Sequence, residues 1–211
     1  MKLTYLLILA AIAVHIYIAF FASEPEAWYI TFGFSGENLL ARPYSLVTSI
    51  FLHGSFLHLL SNILVWLFFG MAVESELGRG KMLAIFFLGA FAGDFLSLLA
   101  YPWDAISVGA SAGIFALVGV GMLVRPMDLS FYPLVIPVPL AFLGLLYAIF
   151  NTYEFLFAAD PSISYIGHFG GLAVGLLFGV RYAGVKKSIK IILVTLAVMA
   201  LIPFVWILLT R

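Results

Sequence analysis

Seven long apolar segments, separated by short stretches that carry the charged residues, constrain this chain more than any other feature. They are Leu3 to Ala22, Phe56 to Val73, Met82 to Tyr101, Ile106 to Val124, Tyr132 to Thr152, Tyr165 to Tyr182 and Ile189 to Leu209. As a helix, each would be long enough to cross a hydrocarbon layer of about 30 Å. Charged residues make up only 9% of the 211 residues, whereas soluble domains average about 25%. The sequence therefore predicts an all-α polytopic membrane protein in a lipid bilayer, and excludes soluble enzymes, nucleic-acid binders and secreted disulfide scaffolds.

Positive charges are distributed unequally between the two sides of the predicted bundle. Eight of the ten Lys and Arg residues share the side of the N-terminus, namely Lys2, Arg79, Lys81, Arg125, Arg181, Lys186, Lys187 and Lys190; only Arg42 and Arg211 fall on the other. The positive-inside rule therefore predicts a multi-pass protein of the cell membrane, with the N-terminus in the cytoplasm and the C-terminus outside. A cleaved signal peptide is a less favoured interpretation of the first segment, because that run is longer than usual and contains His15.

The long connection between the first two segments, residues 23 to 55, holds apolar residues that would sit badly in water. We expect it to form short interfacial helices. No internal repeat or second domain is evident, so residues 1–211 are predicted to form one integral membrane domain.

Four polar residues on three different segments fall at nearly the same depth. Depth is counted at 1.5 Å per residue from the charged residue that ends each segment on the side of the N-terminus. The distances along the helix are ~21 Å from Arg125 to Ser111, ~20 Å from Arg181 to His168, and ~18 Å and ~24 Å from Glu74 to Asn62 and His58. Polar groups inside a membrane are costly and mark functional sites by default. A lone Ser or Asn in such a helix is usually interhelical glue, but four at one level favour a site.

The types of these four residues suggest acyl-transfer chemistry. Ser111 opens a glycine-rich helix whose first N–H groups are unpaired, and His168 is the obvious base to activate its hydroxyl. His58 and Asn62, one turn apart on one helix face, can donate hydrogen bonds to an oxyanion. The chain has no Cys and only four His, so we expect neither a metal nor a cofactor.

A stripe of glycines on the sixth segment predicts close contact between two helices. Its members are Gly167, Gly171, Gly175 and Gly179, and the expected partner surface on the fourth segment is Gly113, Ala116, Gly119 and Gly121. Such contact is what a hydrogen bond between Ser111 and His168 would require.

Several motifs together resemble the rhomboid intramembrane serine proteases over residues 44–183. They are HGSFLHLLSN from His53, ESELG from Glu74, GAS from Gly109, and GHFGG from Gly167 with Gly175 beyond it. The resemblance implies a six-helix bundle with an extra seventh helix at residues 189–209. It also implies Ser111 as nucleophile, His168 as general base of a dyad without a carboxylate, His58 and Asn62 as oxyanion donors, and His53 as a structural histidine.

Two residues near the serine depart from the family pattern. Ala112 stands where Gly is common and would narrow the substrate channel, and Phe115 would stack on the catalytic imidazole where Tyr is frequent. Asp94, ~20 Å up the third segment, raises the alternative of a Ser-His-Asp triad, which the resemblance does not favour.

The leading functional hypothesis is a serine endopeptidase that cleaves transmembrane protein substrates near the outer membrane face. A non-catalytic rhomboid-like protein that binds membrane clients is the alternative, although such proteins usually lack the Ser or the His. A transporter is less favoured because transport sites tend to lie at the midplane with ionisable groups. The sequence leaves the natural substrate and the oligomeric state open.

Overall fold

The chain folds into a bundle of helices. The structure, a computed structural model, describes residues 2–128, 138–158, 160 and 163–209. The helices are α1 (Leu3–Phe20), α2 (Pro25–Phe32), α3 (Gly36–Ala41), α4 (Ser45–Thr48), a 3-10 turn (Ser49–Phe51), α5 (Phe56–Leu77), α6 (Arg79–Ala100), α7 (Ser111–Val124), α8 (Leu140–Phe157), α9 (Tyr165–Ala183) and α10 (Val185–Leu209). Among the described residues, β-type pairing is limited to one isolated bridge between Phe34 and Ser107. The predicted all-α fold of a polytopic membrane protein is confirmed.

Five helices in the described part of the chain are long and apolar enough to cross a membrane: α1, α5, α6, α8 and α9. The predicted fourth span, Ile106 to Val124, is wrong at its first end, because α7 begins only at Ser111. Residues 105 to 110 before it do not form a helix: Ser107 is paired to Phe34, and Gly109 has a φ of +120°. With 14 residues, α7 is ~21 Å long and falls short of the ~30 Å hydrocarbon thickness.

The predicted fifth span, Tyr132 to Thr152, is displaced along the chain. Its start lies outside the described residues, and α8 runs from Leu140 to Phe157 with Pro139 at its N-cap. The turn that follows α7 contacts this start, because Ala141 N–H donates to the Pro126 carbonyl at 3.0 Å.

The short α7 occupies the centre of the bundle, and every residue from Gly113 to Leu123 is buried. It packs against α5, α6, α8 and α9. The glycine stripe of α9 makes the closest of these approaches: a Cβ on Gly171 would meet the Ala112 carbonyl, and one on Gly175 would meet the Ala116 carbonyl. The stripe therefore brings two helix backbones into direct contact, as predicted.

The predicted partner surface on α7 is only partly correct. Ala116 and Gly119 face α9, since a Cβ on Gly119 would lie 2.8 Å from the Leu176 nitrogen. Gly113 faces Phe86 of α6 and Gly121 faces Phe69 of α5. The small residues of α7 thus serve three neighbouring helices, because a helix buried all round needs close contact on every side.

The connection over residues 23 to 55 forms the short helices α2 to α4, as expected. Thr48 Oγ1 donates to the Phe32 carbonyl at 2.7 Å, and Tyr29 hydroxyl donates to the His53 carbonyl at 3.0 Å. These bonds hold the connection over the end of the bundle where α5 begins.

At the opposite end, a buried glutamate fastens α1 to α5. The Glu74 carboxylate accepts hydrogen bonds from the backbone N–H groups of Leu3 and Thr4 at 2.8 and 2.9 Å, and from the Thr4 hydroxyl at 2.7 Å. An anionic group at a helix N-terminus satisfies N–H groups that the helix leaves unpaired. Glu74 therefore caps α1 through tertiary contact.

Candidate active site

The structure brings Ser111 and His168 into direct contact. His168 Nε2 lies 2.9 Å from Ser111 Oγ, across the interface between α7 and α9. The contact depends on the glycine stripe, because Gly171 is one turn below His168 and touches the residue that follows the serine. The pair has the geometry of a serine hydroxyl with an adjacent base.

Ser111 is the first residue of α7. The first hydrogen bond of that helix runs from Ile114 N–H to the Ala110 carbonyl at 3.0 Å. The N–H groups of residues 111 to 113 therefore have no partner within the helix, and they lie at the positive end of the helix dipole, where Ser111 itself is located. A developing oxyanion would find donors here.

The imidazole of His168 is held by contacts with α7 and α8. Its Nδ1 lies 2.7 Å from Asn151 Oδ1. One ring face stacks on Phe115, with centroids 4.5 Å apart and planes 18° apart, and Phe115 stacks in turn on Tyr147 at 4.7 Å. The stacking expected of Phe115 is present. Because the two nitrogens contact Ser111 and Asn151, no nitrogen is left for Asp94 to complete a triad.

His58 and Asn62 lie beside the segment that precedes the serine. A Cβ on Gly109 would come within 2.8 Å of the His58 ring and 3.7 Å of Asn62 Nδ2, so both residues border the segment that leads into Ser111. Only glycine suits this position, since its φ is +120° and a side chain would collide with the imidazole. His58 lines the cavity beside the serine, whereas Asn62 lies behind it and is buried.

The structure gives Asn62 a partner that sequence reasoning did not provide. Its Nδ2 donates to Nε2 of His53 at 2.9 Å. Burial, reinforced by the nearby His58, lowers the pKa of His53 to about 3. The imidazole of His53 is therefore neutral, with Nε2 as acceptor. The backbone carbonyl of His53 lies 3.1 Å from His15 Nδ1. One amide hydrogen of Asn62 remains for another acceptor.

A cavity of about 170 Å³ opens beside the hydroxyl. Its walls include parts of α5, α6, α7, α9 and the segment before α7, among them His58, Asp94, Ser97, Ser111 and His168. Asp94 Oδ2 is buried there and has no hydrogen-bond partner among the residues that the structure describes. Within the described part of the chain, no three His, Asp or Glu side chains converge in a way that would hold a metal ion.

Sequence reasoning missed Asn151. With the fifth span predicted to begin at Tyr132, Asn151 would lie ~28 Å along that helix, near its far end. Counted from the true start at Leu140, it lies ~16 Å along α8, close to the level of the serine. The proline at position 139 was the available signal for this later helix start.

The family model for the Rhomboid domain matches residues 40–185. The chain belongs to the rhomboid family. Rhomboid-like protease 3 of Toxoplasma gondii is 41% identical over 76 residues, which are 36% of this chain and 28% of the relative. Rhomboid-like protease 1 of the same organism is 28% identical over 144 residues, covering 66% of this chain and 47% of the relative. Rhomboid protease GlpG of Salmonella typhi is 29% identical over 117 residues, covering 55% and 41%. This rhomboid chain thus spans less than half the length of these three relatives.

Proposed function

We propose that this protein is an intramembrane serine endopeptidase that hydrolyses peptide bonds of transmembrane substrates, with Ser111 as nucleophile and His168 as general base. The observation that carries the proposal is the 2.9 Å contact between Ser111 Oγ and His168 Nε2 at the wall of a cavity. Relatives named as rhomboid proteases support the same reaction class.

The reaction divides into two acyl-transfer steps. His168 Nε2 takes the proton of Ser111 as Oγ bonds to the scissile carbonyl carbon, and then gives that proton to the leaving amine as the C–N bond breaks. In the second step, a water molecule loses a proton to His168 as its oxygen bonds to the acyl carbon. His168 then returns that proton to Ser111 Oγ as the bond between Oγ and the acyl carbon breaks and the new carboxyl end leaves. The residues present carry out every proton transfer, so we expect no metal or cofactor requirement.

Each step passes through a tetrahedral oxyanion, for which three kinds of donor are available. The backbone N–H of Ser111 belongs to the unpaired first turn of α7, His58 lines the cavity, and Asn62 keeps one amide hydrogen. Such donors act mainly on the transition state, because charge on the oxygen develops only there.

The site also limits the form of the substrate. A peptide bond inside a helix is covered by its own hydrogen-bonded backbone, so the substrate must unwind locally to reach Ser111. Helix-weakening and small residues near the scissile bond therefore favour cleavage.

We further propose that the protein lies in the cell membrane with its N-terminus in the cytoplasm and its C-terminus outside. The support is the charge distribution, with eight of ten Lys and Arg residues on the N-terminal side. Ser111 begins α7 at the end away from these charges, so cleavage is expected near the outer face.

Cleavage of a model transmembrane substrate by the detergent-purified protein tests the proposal. Wild type should cleave it and react with a fluorophosphonate probe, whereas Ser111→Ala should do neither while keeping its melting temperature. His168→Ala should fold yet cleave at background rate, because an unactivated hydroxyl is a poor nucleophile. Retention of substrate without cleavage by a folded wild type would instead favour the client-binding alternative.

A further inference from the structure

Asn151 is buried in a part of α8 that is otherwise more exposed. Among residues 145 to 157 it is the one buried residue, with 4% of its surface exposed. Its Oδ1 faces Nδ1 of His168 at 2.7 Å, and its Nδ2 is buried with no partner in the described part of the chain. Among the described residues, the imidazole is thus the one hydrogen-bond partner of this buried side-chain amide, which indicates that the amide serves to hold the imidazole.

This contact decides which nitrogen of His168 carries the proton. A carbonyl-type oxygen accepts a hydrogen bond, so Nδ1 must be the protonated nitrogen, and Nε2 keeps the lone pair that faces Ser111. With the amide reversed, its N–H would face Nδ1, the proton would move to Nε2, and the imidazole could not accept a proton from the serine. In the observed orientation of the Asn151 amide, Nε2 of His168 is free of a proton and can act as the base toward Ser111.

The same helix supports the ring by a second route. Tyr147, one turn before Asn151, stacks on Phe115, which stacks on His168. The imidazole therefore depends on α8 for the hydrogen bond to Nδ1 and for the outer layer of its aromatic stack.

We propose that Asn151 is a positioning residue that fixes the tautomer and orientation of His168, so that activation of Ser111 depends on the seating of α8 against α9. The proposal rests on the proposed function, because it assigns a role toward the base of that reaction. It predicts that displacement of α8 leaves Ser111 present but unactivated.

Three variants test this role. Asn151→Leu removes the acceptor at similar volume, and Asn151→Asp keeps an acceptor and adds negative charge. Thr152→Val is the matched control, since among the described residues its exposed hydroxyl donates to the Ala148 carbonyl of the same helix and makes no other hydrogen bond. The measurements are the rate of fluorophosphonate labelling and kcat for the model substrate, each as a function of pH, with melting temperature as the folding check.

Asn151→Leu should slow both labelling and cleavage about 10- to 100-fold, the range for partners that orient a functional imidazole. Asn151→Asp should retain activity but move the acidic limb of both profiles to higher pH by about one unit or more, because a carboxylate beside Nδ1 stabilises the imidazolium. Thr152→Val should match wild type. The other titratable groups around the ring, His58, Asp94, Tyr147 and Tyr165, are the same in all variants.

A merely structural role for Asn151 would lower the melting temperature without moving the pH profile. An unshifted profile for Asn151→Asp, or full labelling and cleavage rates for Asn151→Leu, would overturn the inference while wild-type activity stands. If Asn151→Leu does not fold, the Asp variant decides alone. Absence of labelling and cleavage in the folded wild type would refute the proposed function, and the inference with it.

Discussion

Gly171→Ala tests the packing that joins the two halves of the candidate site. The new Cβ would fall on the Ala112 carbonyl oxygen, 2.7 Å from its carbonyl carbon and 3.1 Å from its Cα. Ordinary contacts between carbon atoms lie at about 3.5–4.0 Å. All of these Ala112 atoms belong to the backbone and cannot rotate away. The helices α7 and α9 must therefore separate by about 1 Å, which is the difference between the 2.7 Å approach to the carbonyl carbon and an ordinary contact distance.

Two effects of this substitution oppose one another. Alanine gains about 1 kcal/mol over glycine in a helix. Overpacking of this kind costs about 1–3 kcal/mol, so we expect a net loss of stability. Ala112 follows Ser111 directly, so the separation also lengthens the contact with His168, and a misplacement of about 1 Å can cost 10²-fold in rate.

The assay compares melting temperature in detergent and kcat for the model substrate across three alanine variants. Gly80→Ala is the control, because Gly80 is helical and its Cβ would meet nothing within 4 Å, so that variant should be at least as stable as wild type. Gly175→Ala meets the Ala116 carbonyl one turn deeper and should lose similar stability with a smaller loss of rate. Equal melting temperature and rate for Gly171→Ala and Gly80→Ala would refute the argument from backbone contact.

Three further predictions concern single side chains. Asn62→Ala should lower kcat by about 10² to 10³-fold with little change in KM. His53→Ala, which removes the hydrogen-bond partner of Asn62, should instead lower the melting temperature and leave kcat unchanged. Intact specific activity in folded Asn62→Ala would show that Asn62 is not part of the oxyanion site. Asp94→Asn should keep the pH profile of serine labelling, because His168 already has partners at both nitrogens; a lost acidic limb would revive the triad. Glu74→Ala leaves the Leu3 and Thr4 N–H groups without this acceptor and should lower the free energy of unfolding by about 1–3 kcal/mol, measured as a lowered melting temperature. Glu76→Ala, which loses a half-exposed ion pair, should leave the melting temperature unchanged. Equal effects of the two substitutions would contradict the capping role of Glu74.

The elements that sequence reasoning located correctly depend on local patterns. Apolar runs bounded by charges gave the long helices, and helical rise alone put Ser111 and His168 at one level. The spacing of four glycines predicted the contact between α7 and α9 because it repeats every helical turn on one face.

The features that were missed depend on contacts distant in sequence. The start of α7 is set by the pairing of Phe34 with Ser107, which no local pattern reveals. The start of α8 at Leu140 lies inside a run without charged residues, and the span predicted from Tyr132 overlooked the signal of Pro139, so Asn151 fell too far along the predicted helix. The bond from Asn62 to His53 joins a helix to the loop before it, and counting along one helix could not detect it.

The separation of Ser111 and His168 by 57 residues bears on synthesis of the protein. Translation delivers α7 first, then α8, and α9 last of the three. Under the proposed function, a ribosome-bound chain that has completed α7 holds its serine without the base His168, and the surface of α7 around Gly119 that contacts α9 is still uncovered. Hydrolytic competence would therefore arise only after residues 165 to 183 have left the ribosome and inserted. Neighbouring membrane proteins made at the same translocon would be spared until that moment.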